Sequence, residues 1–413
     1  MNLPNRTLQR VVATTDVHSC LDAASGMLAY LHDARASSLV VDCGDFFEGT
    51  GYYRLGGGSV ERKLLLRLYD VLAPGNHGWP HHFEPGLRAR TVCANVVDAG
   101  RNELLFRPLH RTNIQGRRVA VTAVIGPQAF AAIPLAERVG QRVTDPVHAL
   151  RQLMLEHHHT VDDWVLLSHT GFEDDLDLAQ ACPFLDIVFA GHCHSHHYAP
   201  RQVGSTLVVK GAELGRGYAV AEHDGSSSGW TARSCRFADM ATVPEDLVPL
   251  ANEIARLGER LAVPLGLVAR RWRGAGAPGR RELLAATAAR LHRESSIPVV
   301  LNETVLRPTA LGRVLRLADV LGVEPFGNRL INALLPDVAI DDIPGLLSRL
   351  THRAGPLVTA PDPLPADTYT VLTTDYLAET IDAARPHETG PLLGDAVRDV
   401  LIDGGERNEG EPP

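Results

Sequence analysis

The chain lacks the marks of several protein classes. Its six cysteines form no Cys-x-x-Cys pair, and the spacing predicts reduced thiols instead of a disulfide framework. No run of about 18 apolar residues occurs, so no membrane span is expected. The N-terminal MNLPNRTLQRVVATTDVH leads almost at once into a strand-like run. It shows no apolar signal core and no small-residue cleavage site, and this reading places the chain in the cytoplasm. No Lys/Arg block with interleaved aromatics is present, and the formal net charge is −9. Nucleic acid and membrane surfaces are therefore not expected as partners, and no oligomeric state can be read. Gly56-Gly57-Gly58 lacks the Gly-Lys-Ser/Thr of a P-loop, and Ser168 lacks a Gly-x-Ser-x-Gly elbow. No internal repeat is found.

What remains is the composition of a globular protein, 45% hydrophobic and 22% charged. At 413 residues the chain is too long for one ordinary core, and two domains are expected. Apolar, β-branched runs at Arg10–Thr14, Leu39–Cys43, Val71–Ala73, Val119–Ile125, Trp164–Leu167, Ile187–Ala190 and Leu207–Val209 predict strands. Helix-like stretches such as Cys20–Ala34, Val60–Tyr69 and Pro146–His157 alternate with them, which predicts an α/β architecture. The expected division is a first domain over 1–240, a linker helix within 241–265, a second domain over 266–403 and a disordered polar tail over 404–413.

Five polar clusters stand where strand-like runs end. They are Asp16-Val17-His18, Gly44-Asp45, Gly75-Asn76-His77, Ser168-His169 and Gly191-His192-Cys193-His194. In α/β folds ligands collect at the carboxyl ends of strands. Asp16 and Asp45 offer anionic oxygen and Asn76 a carbonyl oxygen, while His18, His169, His192 and His194 offer imidazole nitrogen. A mixed N/O set suits Mn²⁺, Zn²⁺ or Fe better than Ca²⁺ or Mg²⁺. Seven ligands exceed the needs of one tetrahedral ion and fit two if a carboxylate bridges. Asp45, which follows Gly44 at a sharp strand end, is the natural bridge.

These motifs, together with Phe46–Thr50 and Ala94-Asn95-Val96, resemble the calcineurin-like metallophosphoesterases, and more narrowly their 5′-nucleotidase branch. The resemblance implies an N-terminal four-layer αββα sandwich and a C-terminal α+β substrate domain. It implies one metal on Asp16, His18, Asp45 and His194, and another on Asp45, Asn76, His169 and His192. It implies that His77 stabilises the transition state and protonates the leaving group, assistance typically worth about 10²–10⁴ in rate. The family usually reads Gly-Asn-His-Glu-Phe-Asp, where the Asp orients the histidine. Here Pro80 stands at that position and offers no acceptor.

In the second half, Asn302–Arg307, Glu324–Asn328 and Thr374–Ala378 followed by Asp382 resemble nucleotidase segments. The resemblance implies base stacking by Phe326 and Tyr376, ribose binding by Asp382, phosphate binding by Arg307 and Arg273, and a base-edge contact from Asn302. Glu303, Thr304 and Val305 replace glycines of the first segment, and Thr380 and Ile381 replace the Gly-Gly before Asp382. The implied function is hydrolysis of a nucleoside 5′-monophosphate, standard or modified, by hydroxide held between two divalent ions. Cyclic-nucleotide or nucleotide-sugar phosphodiesterase activity is the alternative, and a non-catalytic nucleotide-binding protein is a third reading.

Overall fold

In the structure, a computed structural model, residues 6–223, 229–274, 276, 278–335, 342–380 and 390–402 are described. The tail over 404–413 and Asp382 lie outside them. The chain divides into two units. Unit 1 comprises Met1–Glu48 and Gly56–Arg256, and unit 2 comprises Gly49–Leu55 and Leu257–Pro413. The short Gly49–Leu55 piece thus sorts with the second unit although it lies far upstream of it in sequence.

Unit 1 is built on two sheets. The first has the order Trp230–Arg236, Gly217–His223, Arg10–Thr14, Ser38–Asp42, Val71–Leu72, and its last three strands run parallel. The second has the order Arg201–Val203, Thr206–Val209, Ile187–Ala190, Asp163–His169, Arg117–Ile125, Leu109–Ile114. Its four middle strands are parallel. Alternate residues point to opposite faces of a strand, and the two faces have different partners. Val11, Ala13, Leu39 and Val41 join Val121, Ala123, Val165 and Leu167 in one core between the sheets. On the outer face of the second sheet, Val124, Leu166 and Val188 pack with Leu150, Leu153, Phe172 and Leu178 from helices Pro146–His157 and Phe172–Ala181. Helix Ala24–Ala34 flanks the first sheet and buries Met27, Leu28 and Leu31. The result is the expected α/β arrangement of helix, sheet, sheet and helix.

The edge strands Leu109–Ile114 and Trp230–Arg236 have no apolar run, because half of each faces solvent. That is why the hydrophobic pattern did not predict them.

Unit 2 holds a four-stranded mixed sheet ordered Leu330–Leu334, Thr370–Thr374, Val299–Asn302, Leu357–Ala360. Helices Arg280–Ser295 and Leu393–Ile402 contribute to one core, and Ile343–Ala354 and Asp375–Thr380 to another. Among the described residues no helix is long and apolar enough to cross a membrane.

Candidate metal centre

The five clusters converge at the carboxyl ends of the parallel strands of unit 1. Strand pairing continues past the strand ends. Asp16 N–H donates to Gly44 O (3.0 Å) and His18 N–H to Asp45 O (2.9 Å), which sets the first two clusters side by side. A Cβ on Gly75 would run into the Asp45 carboxylate and backbone, and one on Gly44 would meet His169 Nδ1 at 2.7 Å. Only glycine lets these turns come so close. Six of the ten non-glycine residues with left-handed backbone among the described residues are Asp16, His18, Ser19, Asp45, Glu48 and His192. Each such conformation costs about 1–3 kcal/mol and persists where surrounding structure enforces it.

Three overlapping groups of donor atoms result, each with its ligand atoms within 4.8 Å of one another. They are Asp16, His18 and His194; His18, Asp45 and His77; and Asp45, His169 and His192. His194 Nε2 lies 3.3 Å from His18 Nε2 and 3.8 Å from Asp16. Asp45 Oδ2 lies 3.7 Å from His18 Nε2 and 3.3 Å from His169 Nε2. Asn76 Oδ1 is 3.2 Å from the same His169 atom. Asp45 therefore stands between the two ends of the cluster. All seven sequence-predicted ligands come together, with His77 beside them.

The surroundings suit this donor set to a pair of cations. His169 Nδ1 donates to Cys43 O at 2.9 Å, which fixes the tautomer and turns Nε2 toward Asp45 and Asn76. Burial drives His18 down to about 3 and His192 to about 4, so both imidazoles are neutral with lone pairs available. Burial also acts on Asp45, but His169 and His77 outweigh it and hold the carboxyl well below its usual range. Burial raises Asp16 to about 6 against the pull of His169. His169 is itself pushed down by burial, yet Asp45 and Asp16 prevail and lift it to about 9. Without metal, a proton on His169 occupies the place a cation would take among these lone pairs.

Several residues that shape the site went unread in the sequence. Glu48 Oε2 lies 3.0 Å from His77 Nδ1, and His77 N–H donates to Asp45 Oδ1 at 2.8 Å. Lys210 is fully buried and donates to Cys193 O (3.2 Å), to Ser195 O and to Glu213, bracing the loop that carries His192 and His194. Asp42 accepts from Thr14 Oγ1 (2.6 Å) and Gly44 N–H (3.0 Å), and Asp175 accepts from Thr170 Oγ1 at 2.6 Å beside His169. Glu48 lies in the Phe46–Thr50 segment that carries the resemblance, but its contact with His77 is not written there, and the polarity of Asp42 inside an apolar run was the other signal.

The predicted substrate residues of unit 2 are placed unevenly. Phe326 and Tyr376 are 39% and 43% exposed. Arg307 is exposed as well, with its guanidinium 5.1 Å from the Phe326 ring centroid. Arg273 Nε donates to Val268 O within its own loop. Asn302 is fully buried, and its amide N–H groups go to Thr304 Oγ1 and Ala354 O. Its Oδ1 has no hydrogen-bond partner among the described residues.

Residues 9–196 match the sequence model of the calcineurin-like phosphoesterase family. An uncharacterized metallophosphoesterase, YunD of Bacillus subtilis, is 28% identical over 49% of this chain and 47% of its own length. A probable 5′-nucleotidase of Treponema pallidum is 28% identical over 42% of this chain and 32% of its own. The chain thus spans about half the length, or less, of these curated relatives. The solved structure of a 5′-nucleotidase precursor from Thermus thermophilus superimposes with a TM-score of 0.72 at 19% identity, covering 95% of this chain and 96% of that one. At that identity the likeness speaks for the fold alone. Over residues 9–196, just under half of the chain, the similarity is to the calcineurin-like phosphoesterases.

Proposed function

We propose that the protein is a two-metal phosphomonoesterase acting on a nucleoside 5′-monophosphate or a close analogue. The observation that carries this reading is the joined donor set of Asp16, His18, Asp45, Asn76, His169, His192 and His194, with His77 held beside it by Glu48. Asp16, His18, Asp45 and His194 would hold one divalent ion, and Asp45, Asn76, His169 and His192 the other. When bound, such a pair supplies an acidified water and polarises a phosphoryl group. Mn²⁺ and Zn²⁺ suit the nitrogen-rich set best, with Fe also compatible.

The chain's own residues do the rest. Glu48 accepts from His77 Nδ1 and leaves Nε2 to carry a proton to the departing oxygen. The backbone bond from His77 N–H to Asp45 ties that imidazole to the ligand turn. In this reading Glu48 takes over the orienting task that a downstream Asp performs in the family, so Pro80 does not disable the site. The exposed rings of Phe326 and Tyr376 supply surfaces for a base, where stacking is typically worth about 1–3 kcal/mol, and Arg307 offers a guanidinium for phosphate. A ribose contact from Asp382 belongs to the same reading.

The test is phosphate release from a panel of nucleoside 5′-monophosphates with Mn²⁺ or Zn²⁺, set against cleavage of 2′,3′-cyclic nucleotides and UDP-sugars followed by chromatography of the nucleotide products. Release from at least one monophosphate, faster than cleavage of any diester, is expected. No release from any monophosphate by the metal-loaded protein would contradict the proposal, and a strong diester preference would replace it with the phosphodiesterase reading.

A further inference from the structure

A second cationic site lies in unit 1 and shares no residue with the metal cluster. A cavity of about 430 Å³ opens beside Val71–Leu72 and Leu109–Ile114, the edge strands of the two sheets. That volume lies within the usual range for small-molecule sites. Its wall carries five arginines, Arg6, Arg35, Arg90, Arg107 and Arg111, against one carboxylate, Asp70. Asp70 is already engaged: it accepts from Arg6 at 2.8 Å, from Arg35 at 3.4 Å and from Val40 N–H at 3.0 Å. Among the described residues no carboxylate forms an ion pair with Arg90, Arg107 or Arg111, and the buried Nε–H of Arg35 has no hydrogen-bond partner.

Such an excess of guanidinium is unusual in a chain of net charge −9. Burial lowers Arg90, with Arg35 adding to the effect, and burial lowers Arg107 as well. Asp70 offsets part of this at Arg90, and among the described residues no anion does so at Arg107. Part of each group is satisfied by carbonyls: Arg90 donates to Leu65 O at 3.0 Å and Arg107 to Arg90 O at 3.3 Å. Carbonyls relieve hydrogen bonding but not the repulsion between neighbouring guanidinium groups. A small dianion would relieve both, since planar guanidinium groups match tetrahedral oxyanions in charge and in donor geometry.

We infer that this cavity binds a phosphate-class oxyanion, inorganic phosphate or the dianionic group of a phosphate monoester, independently of the metal centre. The inference does not depend on the proposed hydrolysis. It is tested by equilibrium dialysis of the full chain with radiolabelled inorganic phosphate at fixed ionic strength, using the metal-loaded protein and its Asp45→Asn variant. The variant should retain one phosphate per chain, displaced by sulfate but not by chloride. The further double substitution Arg107→Gln/Arg111→Gln should weaken that binding at least tenfold. If the double variant fails to fold, phosphate protection of Arg90, Arg107 and Arg111 from phenylglyoxal, read by mass spectrometry on the unsubstituted chain, takes its place. Absence of binding in the Asp45→Asn chain overturns the inference. So does unchanged binding after the arginine substitutions, or a lack of protection.

Discussion

The turn after His77 has Pro80, which offers no acceptor, and Glu48 from the turn after Asp45 lies 3.0 Å from His77 Nδ1. That proximity is visible only in three dimensions, since nothing in a linear reading connects the two turns. Charge-assisted hydrogen bonds of this kind are stronger than neutral ones, and here one would fix which nitrogen of His77 carries the mobile proton. Glu48→Gln keeps the size and loses the charge. We expect kcat to fall about 10–10²-fold on alkyl phosphates, whose leaving group needs a proton, within the range of acid–base assistance. Hydrolysis of p-nitrophenyl phosphate should change much less, because its leaving group departs as the anion. Equal losses on both substrates, measured by steady-state kinetics, would show that Glu48 merely maintains the fold. At this scale the clustered donors were legible in the sequence because they sit at or just past the end of an apolar run. Glu48, Lys210 and Asp175 were not, because a supporting residue is defined by what it touches.

Strand ends and the loops between them are the elements that make the centre. Arg10–Thr14, Ile187–Ala190 and Pro146–His157 coincide with their sequence-predicted ranges, since a buried strand or helix writes its period into the chain. The polar edge strands and the pairing of Gly49–Leu55 with unit 2 leave no such trace. The loop after Ile187–Ala190 is anchored by the buried Lys210–Glu213 pair, whose carboxylate also accepts the Tyr198 hydroxyl at 2.7 Å. Lys210→Met would strand the Glu213 carboxylate and free the carbonyls of Cys193 and Ser195. Breaking one partner of a buried pair costs about 3–5 kcal/mol, so urea denaturation of the metal-free protein should register a loss of that order, with weaker metal uptake besides. A loss below about 1 kcal/mol would mean the pair does not hold the loop. Gly75→Ala is expected to abolish metal binding at stoichiometric concentrations, read by calorimetry, because its methyl group would displace the Asp45 carboxylate.

Over the whole molecule, pH acts through the metal centre. Without metal, His169 titrates at about 9, above its ordinary value of 6.5. A raised imidazole pKa means that the stabilisation it gives the metal-free fold is complete below about 6.5 and lost as pH rises through about 9. The same proton must leave before His169 can bind a cation, so metal affinity should rise between pH 6.5 and 9 with release of close to one proton. Below about 6 the raised Asp16 carboxyl adds a second. Calorimetry in buffers of different ionisation enthalpy measures that release, and a pH-independent affinity would contradict the assigned state. For unit 2, Phe326→Ala should raise KM for a nucleotide about 5–150-fold, the kinetic equivalent of a lost stack, and leave p-nitrophenyl phosphate turnover unchanged. In the proposed function Asp45 joins two cations in one site. Anomalous diffraction from crystals grown with Mn²⁺ decides it. Two peaks flanking the Asp45 carboxylate are expected, one beside His18 and His194 and one beside His169 and His192. A single peak, or peaks that do not share Asp45, would contradict it.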